Sequence, residues 1–209
     1  MTAAAPTSEI DICNLSLGKL RQPGIGSIDD PQTPAENQCA MFYHQTRRML
    51  LASYDWTFAM DRISVAADGA APAFQYTKQF TIPNTVLRVC SRHESDGTLI
   101  HPDDRAVEGN KVLVSVDSGP IYLRVVLDHT TVSAWSPLFV ELMVLKLAAS
   151  IASALAPNAT NQVKTLEVLA DSAMKLAQAE SSRANPITRI TKSSLIDARN
   201  IGGTMTRYV

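Results

Sequence analysis

The stretch LLASYDWTFAMDRISV, residues 50–65, contains the change of periodicity on which the fold depends. Before Trp56, apolar residues recur at three- and four-residue steps, as they do along one face of a helix. After Trp56 come short runs rich in β-branched and aromatic residues, which favour strands. The sequence therefore predicts a helical segment that passes here into a strand-rich one.

Two predicted helices precede this change. Ser8, with Asp11 three residues later, forms a capping box for the first helix. The run Thr33-Pro34-Ala35-Glu36 begins the second helix, with Thr33 as the N-cap and proline at the first helical position. The spacing of apolar residues along this helix predicts that Arg47 and Arg48 lie on its outer side.

Short strands are predicted between residues 54 and 135. They cover residues 58–65, 73–80, 85–91, 111–116 and 121–127. Gly109-Asn110 predicts a tight hairpin between residues 105–108 and the strand at 111–116. No helix of ordinary length interrupts these runs, so we expect an antiparallel meander.

Two more helices follow the strands. Ser136-Pro137 begins the third, which runs to about Leu155, and the fourth runs from about Thr160 to Arg183. The third is apolar over the length of a membrane span, but Glu141 and Lys146 lie within it and charges are costly to bury in lipid. We expect a helix that is buried by its own domain or by a neighbouring subunit, and no membrane contact.

These elements predict an α+β fold. Residues 8–53 and 136–183 are expected to form one antiparallel helical bundle, and residues 54–135 an antiparallel β-rich domain inserted into it. Residues 184–209 are expected to form an extended C-terminal arm. From residue 185 onwards this arm has four basic residues against Asp197 alone, whereas residues 54–135 carry seven basic and ten acidic residues.

The composition argues against several classes of protein. The 209 residues include 19 Lys and Arg and 20 Asp and Glu, whereas a generic nucleic-acid binder is expected to be more basic. Cys13, Cys39 and Cys90 form no CxxC pair, which argues against a disulfide scaffold or a zinc site and favours a reducing compartment.

No pattern indicates catalysis, a metal site or a cofactor. His101-Pro-Asp-Asp104 fits a polar turn better than a metal site, because no further ligand spacing supports one. A lysozyme-like hydrolase would need a carboxylate pair, and the one dense acidic group is Asp103, Asp104 and Glu108 in a hairpin context. We therefore expect that the protein is not an enzyme and binds no cofactor.

Several local strings occur in an order that is typical of one family. They are ICNLSLGKL (12–20), SIDD (27–30), CAMFY (39–43), LLASYDWTFA (50–59), FTIPNTVLRV (80–89), VEGNKVL (107–113), PIYLR (120–124) and WSPLFVEL (135–142). In this order and spacing they resemble the tail tubular protein A family, the head-to-tail adaptors of short-tailed bacteriophages. The resemblance covers about residues 8–183.

This resemblance implies a structural role in the neck or tail of a virion, with assembly in the host cytoplasm. Family members form a ring, generally dodecameric, between the portal and the tail nozzle, and DNA crosses the central channel. The expected partners are further copies of the chain, the portal protein, the nozzle protein and DNA that passes without sequence-specific binding. The apolar third helix suits packing between subunits, and its candidate residues are Leu138, Leu142, Leu145 and Ile151.

The arm lies outside the resemblance, and we expect it to dock on the portal and to order there. Its candidate anchors and cations are Ile187, Arg189, Ile190, Lys192, Leu195, Arg199, Ile201, Arg207 and Tyr208. The alternative for the arm is that it packs on its own subunit as a helix or an edge strand. The alternative for the whole protein is a DNA-binding accessory protein that uses the basic arm with Arg47 and Arg48.

Overall fold

Residues 5–101, 104–155 and 160–184 are described by a computed structural model of the chain. Within these residues the fold is mixed, with four helices and two small antiparallel sheets, as in the α+β class. The predicted C-terminal arm lies outside the described residues, apart from Ala184.

The four helices begin where the sequence predicts. They are α1 (Glu9–Lys19), α2 (Pro34–Ser53), α3 (Pro137–Leu155) and α4 (Thr160–Ala184). The Ser8 hydroxyl accepts from the Asp11 amide at 3.1 Å, and the Asp11 carboxylate accepts from the Ser8 amide at 3.0 Å. Thr33 and Glu36 form the same reciprocal pair at the start of α2. Both predicted capping boxes are confirmed.

Helix α3 is the helix on which α1, α2 and α4 all pack. Its sequence is apolar on most sides, so it can contact several helices at once. Helix α4 meets it through Leu166 and the small residues Ala170, Ala173 and Ala177, which are buried and allow a close approach of the two helices.

The α3 residues proposed above for subunit packing belong to the core of the subunit itself. Leu142, Leu145 and Ile151 are buried by the helices of the same chain, and half-buried Leu138 packs against the same core. Leu142 and Ile151 are therefore covered within the subunit, whereas Leu145 also lines a surface groove, and the role of these residues in subunit packing stays a prediction. The pattern indicated burial correctly, but it does not show which helix supplies the cover.

Among the described helices, α3 is long and apolar enough to cross a membrane. Half of this stretch is buried inside the protein, and the core helix of a folded domain passes the same test of length and composition. The contacts with α1, α2 and α4 account for its apolar character.

The six strands are β1 (Met60–Val65), β2 (Lys78–Thr81), β3 (Val86–His93), β4 (Arg105–Glu108), β5 (Lys111–Val114) and β6 (Ile121–Leu127). The predicted hairpin is confirmed, because Glu108 pairs with Lys111 across Gly109-Asn110 and Gly109 has a φ of +59°. Strand β2 is shorter than the prediction of 73–80. Gln75 has a φ of +68°, which turns the chain and prevents an extended run.

The strands pair antiparallel, but they do not form the predicted meander. The first sheet has the order β1-β6-β3 and the second has the order β2-β5-β4. Strand β6 occupies the centre of the first sheet because Ile121, Leu123, Val125 and Val126 are all buried and need cover on both faces. The period of the individual strands carries no information on this order.

The two sheets pack face to face. Leu123 and Val125 of the first sheet share a core with Phe80 and Val112 of the second. Val126 belongs instead to the core of the helices. Strand β6 therefore links the two cores.

Four aromatic side chains lie where the helices meet the strands, and we call them the aromatic junction: Trp56, Phe58, Trp135 and Phe139. The Phe139 ring centroid lies 5.0 Å from that of Trp56, 4.9 Å from that of Phe58 and 5.2 Å from that of Trp135. Each indole N–H is satisfied, since Trp56 donates to the Leu50 carbonyl at 2.7 Å and Trp135 to that of His129 at 3.2 Å.

We predict that Phe139→Ala lowers the free energy of unfolding by about 3–5 kcal/mol, because it removes a buried ring with three aromatic neighbours. Urea unfolding followed by circular dichroism measures this loss. Phe74→Ala is the matched control, because Phe74 is 79% exposed and its removal is expected to change little. Equal effects of the two substitutions would contradict the junction's structural role.

Candidate interaction surfaces

Arg47 is buried, with 5% of its surface exposed, which corrects the prediction that it lies on the outer side of α2. Its guanidinium is held by Asp128, with Nε 3.1 Å from Oδ1 and Nη2 3.2 Å from Oδ2. A third contact joins Nη1 to Glu9 Oε1 at 3.4 Å. The spacing of apolar residues along α2 did not predict this burial, because Asp128 and Glu9, which cover this side of α2, come from distant parts of the chain.

This pairing limits what the two arginines can do. Arg47 connects α2 to α1 and to the segment after β6, so its charge is already compensated inside the fold. Arg48 is exposed and reaches the same Asp128 at 3.5 Å. A phosphate contact by Arg47 would therefore require that the buried pair be broken first, at the cost of an unpaired carboxylate.

Helix α4 has an exposed uncharged face, which we call the α4 outer face: Val168, Leu169, Ser172, Leu176 and Ala179. All five are exposed, Leu169 by 49% and Leu176 by 59%. Four of the α4 charges lie on an adjacent side of the helix, formed by Lys164, Glu167, Asp171 and Lys175. Thr165, Leu169, Ser172, Leu176 and Ala179 follow the alternating four- and three-residue steps of a helix that pairs with another helix.

An apolar groove of about 480 Å³ runs beside this face. Leu145 and Leu166 lie at its base and Leu169 and Leu176 at its rim, and at one end Lys19 pairs with Glu141 at 2.8 Å. A monomeric protein seldom leaves a large contiguous apolar surface exposed, so such surfaces are typical of contacts with other proteins. The sequence contains a signal for this surface, since Val168, Leu169 and Leu176 interrupt an otherwise polar side of α4.

A second exposed surface lies on α2, and we call it the α2 outer face: Met41, Gln45, Arg48 and Met49. Met41 is 65% exposed and Met49 is 55% exposed. Methionine side chains adapt to irregular partner surfaces because they are flexible and polarizable. Helices α2 and α4 both pack on α3, so one molecule carries two different exposed helix faces.

The described residues bring together no group of three or more His, Cys, Asp or Glu side chains that could hold a metal ion. Cys13 and Cys39 are neighbouring buried thiols, and a hydrogen bond between them together with burial raises the pKa of Cys13. Burial and a hydrogen bond to Asp55 raise the pKa of Cys90 to about 12, so this thiol stays protonated at neutral pH and is a poor nucleophile.

Part of the sequence-based site predictions falls on residues that the structure does not describe. These are all the arm residues: Ile187, Arg189, Ile190, Lys192, Leu195, Arg199, Ile201, Arg207 and Tyr208. Asp103, in the acidic group, lies outside the described residues as well. The predictions for these residues stay predictions.

No protein-family model matches this chain, and a search of curated proteins found no match either. Inference about function therefore depends on the chain's own residues and surfaces.

We predict that Arg47→Met lowers the free energy of unfolding by about 2–3 kcal/mol, because Asp128 and Glu9 lose a buried partner. Arg48→Met removes the adjacent, exposed arginine and is expected to change it by less than about 1 kcal/mol. Urea unfolding of the two variants side by side measures the difference. A loss as small for Arg47 as for Arg48 would show that the buried pair contributes little to stability.

Proposed function

We propose that this protein is a structural head-to-tail adaptor of a short-tailed bacteriophage, which forms a ring between the portal and the tail nozzle and lets DNA pass. The observation that supports it is the position of the family-like strings in the fold. LLASYDWTFA supplies Trp56 and Phe58, and WSPLFVEL supplies Trp135 and Phe139. Two strings far apart in the sequence thus meet in one aromatic cluster.

Other family-like strings also form defined contacts or elements of the fold. Asn14, in the first string, pairs its side-chain amide with both backbone groups of Ile25, at 2.7 and 3.2 Å. VEGNKVL supplies the β4–β5 hairpin, and PIYLR opens the central strand β6. In this fold the strings thus supply a side-chain contact to a loop, a hairpin, a central strand and an aromatic cluster.

The proposed organisation follows the sequence-based one. Residues 8–53 and 136–183 form an antiparallel helical bundle, residues 54–135 form the inserted β-rich domain, and residues 184–209 form the extended arm that docks on the portal. The chain carries no enzymatic activity in this role and needs no cofactor.

In this proposal the contact between subunits is formed by the surfaces of α2 and α4 instead of by α3. A ring needs a heterologous interface, in which one face of a subunit meets a different face of the next. The α4 outer face and the α2 outer face are such a pair of different surfaces, and each buries apolar side chains when covered. In the proposed ring the α4 outer face of one copy packs on the α2 outer face of the next.

The alternative of a DNA-binding accessory protein has less support. Arg47, one of its two helix cations, is paired inside the fold, and the whole chain has a net charge of −1. Without Arg47, that alternative depends on Arg48 and on the arm.

Electron microscopy of the full chain, alone and mixed with the portal protein of its virus, tests the proposed function. Closed rings that sit coaxially on the portal are expected. A chain that stays monomeric and never binds the portal would contradict the proposal.

We predict that the double variant Leu169→Glu, Leu176→Glu weakens ring formation at least tenfold, because each new carboxylate would have to be buried without a partner. Both side chains are exposed in the subunit, so its melting temperature is expected to stay nearly unchanged. Sedimentation velocity measures the assembly. Lys175→Glu, on the charged side of α4, is the matched control and is expected to assemble normally.

We also predict that deletion of residues 186–209 leaves a folded subunit with nearly the same melting temperature that no longer joins the portal. Differential scanning calorimetry and a portal pull-down measure the two properties. A truncated chain that unfolds, or one that still joins the portal as the full chain does, would contradict the role of the arm.

A further inference from the structure

The outer face of the first sheet carries a polar pocket that the adaptor function does not explain. The inner face of this sheet packs on the second sheet through Leu123 and Val125. Because side chains alternate along a strand, the residues between them point the other way. There Arg62 on β1 and Arg124 on β6 are direct cross-strand partners, and a pocket of about 360 Å³ opens beside them.

Six polar or aromatic side chains share this face in two rows. They are Arg62, Ser64, Ser91, His93, Tyr122 and Arg124. Tyr122 has Ser64 opposite it on one side and His93 on the other, and the ring of Tyr122 is partly exposed. The pocket thus combines two guanidinium groups, hydroxyl groups and an aromatic ring.

One wall of the pocket is fixed by hydrogen bonds. His93 Nδ1 lies 3.0 Å from the Gly97 carbonyl oxygen, which can only accept, so Nδ1 carries the proton. The other ring nitrogen, Nε2, lies 2.8 Å from the Ser91 hydroxyl and forms a second hydrogen bond. The turn behind the histidine closes through the Gly97 amide, which donates to the Glu94 carbonyl at 3.0 Å, and Gly97 has a φ of +90° that suits glycine.

We infer that this pocket binds a phosphate group, held by the guanidinium groups of Arg62 and Arg124. The Cα atoms of directly opposed residues in an antiparallel pair lie about 4.5–5.5 Å apart, so the side chains of Arg62 and Arg124 can reach the same anion. Arginine forms two parallel hydrogen bonds to phosphate oxygens, which gives both strength and geometry.

Three further features favour a phosphate ligand. Arg62 makes no ion pair with any residue that the structure describes, so its charge is available on the surface. The pocket is a positive site within residues 54–135, which carry more acidic than basic residues. The exposed Tyr122 ring offers a flat surface on which a nucleobase can stack. The phosphate can come from a nucleic-acid strand or from a small phosphate compound, and this inference does not depend on the proposed function.

Glu94 lines the same pocket and supplies an internal test. The negatively charged Glu94 carboxylate repels a bound anion. Removing this charge should therefore strengthen anion binding, whereas removing the charge of Arg62 should weaken it. Arg62→Gln and Glu94→Gln each change one charge and keep a polar side chain of similar reach. Lys175→Gln, on the exposed charged side of α4, controls for a loss of positive charge elsewhere.

The test measures binding of two probes to the full-length chain. Fluorescence anisotropy follows a labelled short oligothymidylate, and isothermal titration calorimetry follows sodium pyrophosphate. We expect Arg62→Gln to weaken binding about tenfold, Glu94→Gln to strengthen it severalfold and Lys175→Gln to leave it unchanged. For the oligonucleotide, Arg62→Gln should also lower the slope of log affinity against log salt by about 0.7, the value for one lost phosphate contact on a single strand.

The outcomes separate the sources of the phosphate and the ways in which the inference fails. Binding of the oligonucleotide with these responses assigns the pocket to a nucleic-acid strand, and binding of pyrophosphate alone assigns it to small phosphate compounds. Binding of neither probe overturns the inference. Equal losses for Arg62→Gln and Lys175→Gln overturn it as well, because they would indicate a general charge effect. Equal melting temperatures of the variants show that each is folded.

Discussion

The contact of the Phe139 ring with Trp56, Phe58 and Trp135 is the interaction on which the rest of the structure depends. It lies where α2 ends, where α3 begins and where the strands leave and return, so it holds the helical and the strand-rich segments against each other. Ser181 at the end of α4 adds to it, since its hydroxyl donates to the Asp55 carbonyl and accepts from the Thr57 amide. The ring and Ser181 together connect the start of α3 and the end of α4 to the segment that leads from α2 into the first sheet.

The buried ion pair of Arg47 with Asp128 is a second connection between the same segments. Asp128 follows β6 directly, and Arg47 also reaches Glu9 on α1. A buried ion pair adds less net stability than an apolar contact of the same size, but it penalises any arrangement in which its partners separate. We therefore expect the aromatic junction to contribute more to stability than the ion pair, which favours the observed placement of α1, α2 and β6.

Local features of this fold could be predicted from the sequence, whereas long-range ones could not. The capping pairs at Ser8 and Thr33 and the hairpin at Gly109-Asn110 depend on residues a few positions apart, and all three are confirmed. The order of the strands and the burial of Arg47 depend on which distant segment covers a given side, and periodicity does not contain this information. The phosphate pocket was missed for the same reason, because Arg62 and Arg124 become neighbours only through the register of β1 and β6.

We propose that the chain acts by assembly through the α4 outer face. Hydroxyl-radical footprinting of the wild-type chain, as a free subunit and in the assembled state, tests this most directly. The account predicts that oxidation of Leu169 and Leu176 falls severalfold on assembly, while Leu142, already buried in the subunit, stays unreactive in both states. Equal oxidation of Leu169 and Leu176 in the free and the assembled protein would contradict it.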